Sequence, residues 1–185
     1  MSTTDELTKS YSGIFGNQVV LKNRRGKSVM TMPPRRIKPE PTEKQKKVRE
    51  ELAKAARYAK NMKLNPALLA IYAARAVKGM PAFRLAMTDY LRHPSVREIL
   101  TPDYAGQPGN TIHVDAFDDF AVKEVTVQIS DSTGKEIEKG TCVIDQVTGS
   151  FDYTATVEVP SIAGVVITAQ AFDYPDHTGE LSVTL

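Results

Sequence analysis

Residues 117–140 read FDDFAVKEVTVQISDSTGKEIEKG, and this stretch restricts the fold more than any other. Val125, Val127 and Ile129 alternate with Thr126, Gln128 and Ser130, the period of two that gives a strand one buried and one wet face. Asp131-Ser132-Thr133-Gly134 follows with turn residues, and Gly134 can take the positive φ that closes a short hairpin. Ile137 restarts the alternation on the return strand. Beyond Pro102 similar segments recur, predicting strands near 111–117, 121–130, 135–144, 150–159, 164–173 and 179–185, with an additional edge strand near 96–100. Phe151, Tyr153, Ala155 and Val157 alternate, as do Val165, Ile167, Ala169 and Ala171. Six or seven such strands joined by tight turns predict an antiparallel β-sandwich.

Charge divides the chain at about the same place. Residues 1–100 hold 21 Lys/Arg against 8 Asp/Glu, a net of +13, whereas residues 101–185 hold 3 against 14, a net of −11. The whole-chain value of +2 conceals this. Halves of opposite sign can dock head to tail between copies, or hold an anionic partner at one end only.

The basic half is organised differently. Residues 1–17 are polar and rich in Ser, Thr and Gly, and are expected to stay mobile until a partner orders them. Apolar runs at 19–21 and 29–32 flank Asn23-Arg24-Arg25-Gly26, which predicts a second hairpin with a basic tip. Pro33, Pro34, Pro39 and Pro41 then make a stiff, extended connector. Thr42 with Gln45 is a capping box that opens a helix, and Val48, Leu52, Ala55, Ala59 and Met62 trace its buried face. Asn65-Pro66 reads as the N-cap and first residue of a second helix, ended by Gly79. Pro81 opens a third, with Phe83, Met87 and Tyr90 on one side. A helical unit this small needs support from the sandwich, the arm or another subunit. The expected domains are therefore 1–41, a basic hairpin arm and Pro-rich connector; 42–100, a short Ala-rich helical unit; and 101–185, the sandwich.

The pattern Ile112-x-Val114, Val125-x-Val127-x-Ile129, Gly134 and Ala171-Phe172-Asp173 resembles the Ig-like and cadherin-like modules of bacterial proteins. The antibody-type core signature is absent, since there is no Trp and only one Cys. GKSV at 26–29, Thr42-x-x-Gln45 and Ala56-Arg57-Tyr58-Ala59-Lys60 are similar to uncharacterised small bacterial proteins that join a basic arm and Ala-rich helices to such a module. That resemblance carries no catalytic residues across; it implies adhesion or scaffolding by fold analogy. The fold class expected is α+β, with an N-terminal β-hairpin arm and short helical bundle followed by an antiparallel Ig-like β-sandwich.

Several residue sets invite a chemical reading. Gly26-Lys27-Ser28 suggests a phosphate loop, but that motif needs a glycine where this chain has Leu21, and a helix after Ser28. Asp115, Asp118, Asp119, Asp173 and Asp176 could offer oxygen ligands to calcium, yet their spacing matches no complete ligand loop. His93, His113 and His177 lie on different elements, with no nucleophile elbow and no paired-histidine zinc motif. The single Cys142 sits in mid-strand, where a thiol behaves as a small hydrophobe. The reading is accordingly no enzyme, no metal and no cofactor.

The basic set Lys22, Arg24, Arg25, Lys27, Arg35, Arg36 and Lys38 is the candidate partner-binding region. Between residues 16 and 57 no aromatics interleave with these cations to stack bases, so nucleic-acid binding is the alternative. Docking to a neighbouring subunit, a second copy or an acidic protein partner is the first reading, with the arm adding a strand to an exposed sheet edge. By analogy such a chain suits an assembled particle, virion-like ones included. No apolar run approaches a membrane span, and MSTTDELTKSYSGIFG has no apolar core of a secretory signal. The expected location is the cytoplasm, or a particle assembled there.

Overall fold

The computed structural model of the chain describes residues 12–16, 18–24, 27–33 and 40–185. These form three helices and eleven strands, an α+β fold built on an antiparallel β-sandwich. Two compact units divide the chain, residues 1–48 and residues 49–185.

The first unit is a three-stranded antiparallel sheet of β1 (Gly13–Phe15), β2 (Val19–Arg24) and β3 (Lys27–Thr31), in that order. The β2–β3 hairpin is the one that the runs at 19–21 and 29–32 predict. Strand β1 corrects, for residues 13–15, the expectation that residues 1–17 stay mobile until a partner orders them; residues 1–11 and 17 lie outside the described residues. Gly16 takes a φ of 56°, and Gln18 N–H donates to the Phe15 carbonyl at 3.1 Å. The chain thereby folds back so that Ile14 and Phe15 pair with Val20 and Val19. Thr42 and Gln45 cap helix α1 (Glu43–Met62) reciprocally, at 3.2 and 3.3 Å.

In the second unit α1 buries Ala55, Ala59 and Met62. Val48 and Leu52, predicted on the same face, are exposed by 67% and 47%; the buried seam begins only where other helices reach it. Helix α2 (Pro66–Ala74) starts as expected, with Asn65 Oδ1 accepting from the N–H groups of Ala67 and Leu68 at 3.1 and 3.2 Å. It stops before Gly79, and Val77 and Met80 bridge to each other instead. Helix α3 runs from Ala82 to Tyr90. Ala59, Met62, Tyr72 and Ala86 form a small core that Phe120 and Tyr174 of the sandwich loops complete. The helices thus lean on the sandwich.

The sandwich packs one sheet, ordered β11-β10-β6-β7, against another, ordered β4-β5-β9-β8. Its strands are β4 (Ser95–Leu100), β5 (Thr111–Phe117), β6 (Glu124–Ser130), β7 (Glu136–Thr141), β8 (Val143–Ile144), β9 (Phe151–Thr154), β10 (Val166–Phe172) and β11 (Thr178–Thr184). The expected strand at 135–144 is two strands in two sheets, since the chain changes layer at the buried Cys142. The strand expected over 150–159 ends at Thr154, so Val157 is 41% exposed and Val159 is buried in its place. Ile112 and Val114 face Val125, Val127, Ile129, Ile167, Ala169 and Ala171 in one dry core.

The opening hairpin forms around Asp131, whose Oδ1 accepts from Thr133 N–H at 2.8 Å and Lys135 N–H at 3.0 Å, with Gly134 at φ 85°. A bulge in β7 then alters the return strand. Ile129 pairs with Glu138 and Ser130 with Glu136, so Ile137 is the extra residue. Residues paired across strands share a face, so Glu138 and Gly140 point into the core side. Tyr153 lies where a Cβ on Gly140 would come within 2.7 Å of its ring, and its hydroxyl donates to Glu138. Glu138 also accepts from Thr156 and Val157 N–H, both at 2.8 Å. Burial alone would raise its carboxyl; these hydrogen bonds outweigh burial and lower it.

The edge of one sheet touches the start of the other at Gly179, where an added Cβ would lie 2.1 Å from the Pro94 carbonyl oxygen and 3.0 Å from Ser95 Cα. Backbone cannot yield as a flexible side chain does. Gly179→Ala is expected to destabilise the second unit by about 1–3 kcal/mol. Urea unfolding followed by tyrosine fluorescence measures it; an unchanged midpoint would refute this closure.

Candidate functional site

Of the predicted basic set, Lys22, Arg24 and Lys27 lie in the arm and all three are exposed; Arg25, Arg35, Arg36 and Lys38 lie outside the described residues. Arg24 pairs directly with Lys27 across the hairpin, and Lys22 sits two residues back on the same face. Like charges placed opposite each other are unfavourable, and among the described residues no carboxylate forms an ion pair with them. An anion laid across this end would relieve the repulsion. Lys27 and Ser28 belong to strand β3, which runs on to Thr31, as expected where the phosphate-loop motif is incomplete.

The other face of the arm is apolar. Phe15, Val19, Leu21 and Met30, with Gly16 and Gln18, line a shallow open cavity of about 340 Å³. Phe15 is 79% exposed, Met30 67% and Met32 88%. Val20 is the one buried hydrophobic side chain among the described residues of this sheet. A three-stranded sheet needs a covered hydrophobic face to be stable.

A second cluster lies wholly inside the residue 49–185 unit, where the helices meet the sandwich. Tyr58 of α1 and Tyr72 of α2 join hydroxyls at 2.9 Å, and Tyr72 donates to Asp89 of α3. Tyr72 stacks on Phe120 at 4.5 Å, which in turn meets Tyr174 edge-on at 5.9 Å. Arg75 lies 4.7 Å from the Phe120 ring and donates to the Phe120 carbonyl. Asp173 is fully buried and accepts from His177 through both the backbone N–H, at 2.6 Å, and Nδ1, at 3.0 Å. His177 stacks under His93 at 4.2 Å and meets Tyr90 edge-on at 4.8 Å. Burial pushes the Tyr58 hydroxyl up to about 12, and raises Tyr72 further.

This cluster regroups the sequence candidates. Asp118 and Asp173, weighed and set aside as calcium ligands, and His93 and His177, read as lying on different elements, come together with four tyrosines, of which Tyr72 and Tyr174 carried no signal in the sequence. Asp119 is paired with Arg92 at 2.6 Å and Asp176 with Lys123 at 2.7 Å. His113 stands apart between Asp152, at 2.8 Å, and Asp103, at 3.4 Å; hydrogen bonding to Asp152 raises it above the ordinary imidazole value. Among the described residues no three His, Cys, Asp or Glu side chains are arranged to hold a metal ion. No helix among them is long and apolar enough to cross a membrane.

No protein-family model matches the sequence, and no curated protein matches it. Among solved structures, CopC from Methylosinus trichosporium OB3b is similar, at 15% identity and a TM-score of 0.37, over 49% of this chain and 88% of that chain.

Two measurements probe this geometry. Tyr72→Phe keeps the ring on Phe120 but strips Asp89 and Tyr58 of a partner, and is expected to lower stability by about 1–3 kcal/mol in urea unfolding. Burial pushes the Cys142 thiol up to about 12, so the native protein should resist alkylation at about pH 8 and react only on unfolding. Rapid labelling of the native thiol would contradict that placement.

Proposed function

We propose that this is a non-enzymatic assembly protein whose three-stranded arm docks on an acidic protein surface, the sandwich of a second copy. The observation that carries this reading is the arm sheet itself. It forms a unit with its Phe15, Val19, Leu21 and Met30 face open, and exposed apolar surface of this kind marks an interaction site. On the opposite face, toward the hairpin tip, stand Lys22, Arg24 and Lys27, three cations with no counter-ion among the described residues. The apolar face supplies affinity; the cations supply long-range steering. The residues 101–185 carry a net charge of −11, complementary to the +13 of residues 1–100. A particle component would use the same contact repeatedly, each copy offering its arm and receiving another.

Size-exclusion chromatography with light scattering is the test, at about 0.05 and about 0.5 M salt, where screening differs strongly. The expected result is an oligomer that dissociates at the higher salt. Replacing Lys22, Arg24 and Lys27 by Ser should leave a monomer at both salts, with unfolding free energy within about 0.5 kcal/mol of the parent. Phe15→Ser with Met30→Ser should also give a monomer. An oligomer unaffected by either set would overturn the proposal. A monomer that sheds 260-nm-absorbing material as salt rises would replace it with nucleic-acid binding.

A further inference from the structure

The helix–sandwich junction holds two carboxyl oxygens that no donor among the described residues reaches. Asp89 is only 2% exposed. Its Oδ2 accepts the Tyr72 hydroxyl, while its Oδ1 is buried without a hydrogen-bond donor among the described residues. Asp118 enters from the β5–β6 connection. Its Oδ2 accepts from the N–H groups of Phe120 and Ala121 at 2.8 and 2.9 Å. Its Oδ1 is also buried and without a donor among the described residues.

Asp118 is near enough for both its charge and its side chain to act on the Asp89 carboxyl. With both ionised, two buried acceptor oxygens would each lack a donor in the same junction, and the two charges would repel. That is the arrangement in which one of two carboxylates keeps its proton. A single proton on one oxygen donates to the other and removes both deficits at once.

We propose that Asp89 and Asp118 share one proton, and that this proton is a latch holding α2 and α3 on the end of the sandwich, released as the solution turns alkaline. Asp89 belongs to α3 and Asp118 to the sandwich, so the shared hydrogen bond joins the two layers directly. Tyr72 belongs to α2 and Tyr58 to α1, so the same carboxyl gathers all three helices.

All the groups facing Asp89 except the Tyr72 hydroxyl act in one sense. From α1 comes Tyr58, from α2 Tyr72, from the β5–β6 connection Asp118, and from the β10–β11 turn Asp173 with its partner His177. The basic side chains of the junction are committed elsewhere: Arg92 to Asp119, Lys123 to Asp176, and Arg75 to the Phe120 carbonyl. Burial lifts the Asp89 carboxyl, the Tyr72 hydroxyl opposes this, and the charges of Asp118 and Asp173 add to the lift; the result is about 7. Burial likewise raises Asp173 against the two hydrogen bonds from His177.

The sign follows from linkage. Asp89 ionises near 4 in the unfolded chain and near 7 in the fold. Its contribution is fully present below the lower value and is lost as pH rises through the higher one. The change therefore falls between about pH 4 and about pH 8. His113 is raised above the ordinary imidazole value by Asp152, so the comparison must isolate Asp89.

Asp89→Asn carries a permanent donor in nearly the same shape. It keeps an acceptor for Tyr72 and gives Asp118 its hydrogen bond at every pH. Hydrogen exchange of the full chain, read by mass spectrometry on peptides from residues 66–92 and corrected for intrinsic rates, is measured at about pH 5.5 and about pH 8.5. The parent is expected to lose at least tenfold protection in these peptides at the higher pH, with the sandwich peptides of β6 and β10 unchanged. The variant should hold its protection at both.

The unmodified protein gives an independent readout. Its infrared spectrum should contain a protonated-carboxyl band at about pH 6 that disappears by about pH 9 and is missing from Asp89→Asn and from Asp118→Asn. A parent without such a titrating band overturns the proposal, whether or not the variants fold. So does an Asp89→Asn protein that loses helical protection with pH as the parent does.

Discussion

Strands β6 and β10 lie side by side in the middle of one sheet, and the fold depends on their shared inner face. Val125, Val127 and Ile129 are fully buried there, opposite Ala171, Ala169 and Ile167 in register. Large residues on one strand meet small ones on the next at two of the three positions, which lets Ile112 and Val114 of the facing sheet pack between them. Dense packing of this kind leaves no room for water. It also commits the register, since a slip of one residue would bring Thr126 and Gln128 inside.

The rest of the second unit is arranged around that core. At one side the β7 bulge turns Glu138 inward, where Tyr153 and the backbone of Thr156 and Val157 satisfy it. The cost of burying a carboxylate is offset because its acceptor sites are filled. At the end near Phe120 and Tyr174 the solution is different. Asp89 and Asp118 have fewer donors than oxygens, and a proton supplies what the backbone does not. Two buried acids in one small protein are thus stabilised by opposite means, one as an anion and the other as an acid. Their responses to pH run in opposite directions for the same reason.

The arm follows neither pattern. Its central strand is paired on both sides, but its side chains remain open on one face and positively charged at one end of the other. In a soluble monomer such a sheet has little to hold it together. A surface that is apolar, basic and carried on its own unit is suited to contact rather than chemistry. The proposed assembly role rests on that combination, and the acidic composition of the sandwich offers a matching surface.

Period-two alternation, turn residues and helix caps were enough to determine the sandwich, the 131–134 turn, the arm hairpin and the starts of α1 and α2. These are local signals, set by residues within a few positions of one another. Strand β1, the division between β7 and β8, the exposure of Val48 and Leu52, and the inward turn of Glu138 depend on which elements lie alongside, and no local pattern encodes that. The same limit applies to function. Lys22, Arg24 and Lys27 were readable as a basic tip because they are close in sequence, and Arg24 and Lys27 proved to be a cross-strand pair. Asp89, Asp118, Tyr58, Tyr72 and His177 are separated by as many as 119 positions along the chain. Only the packing of helices on the sandwich brings them together, because burial and the loss of water, which give those side chains their chemistry, are properties of the assembled layers.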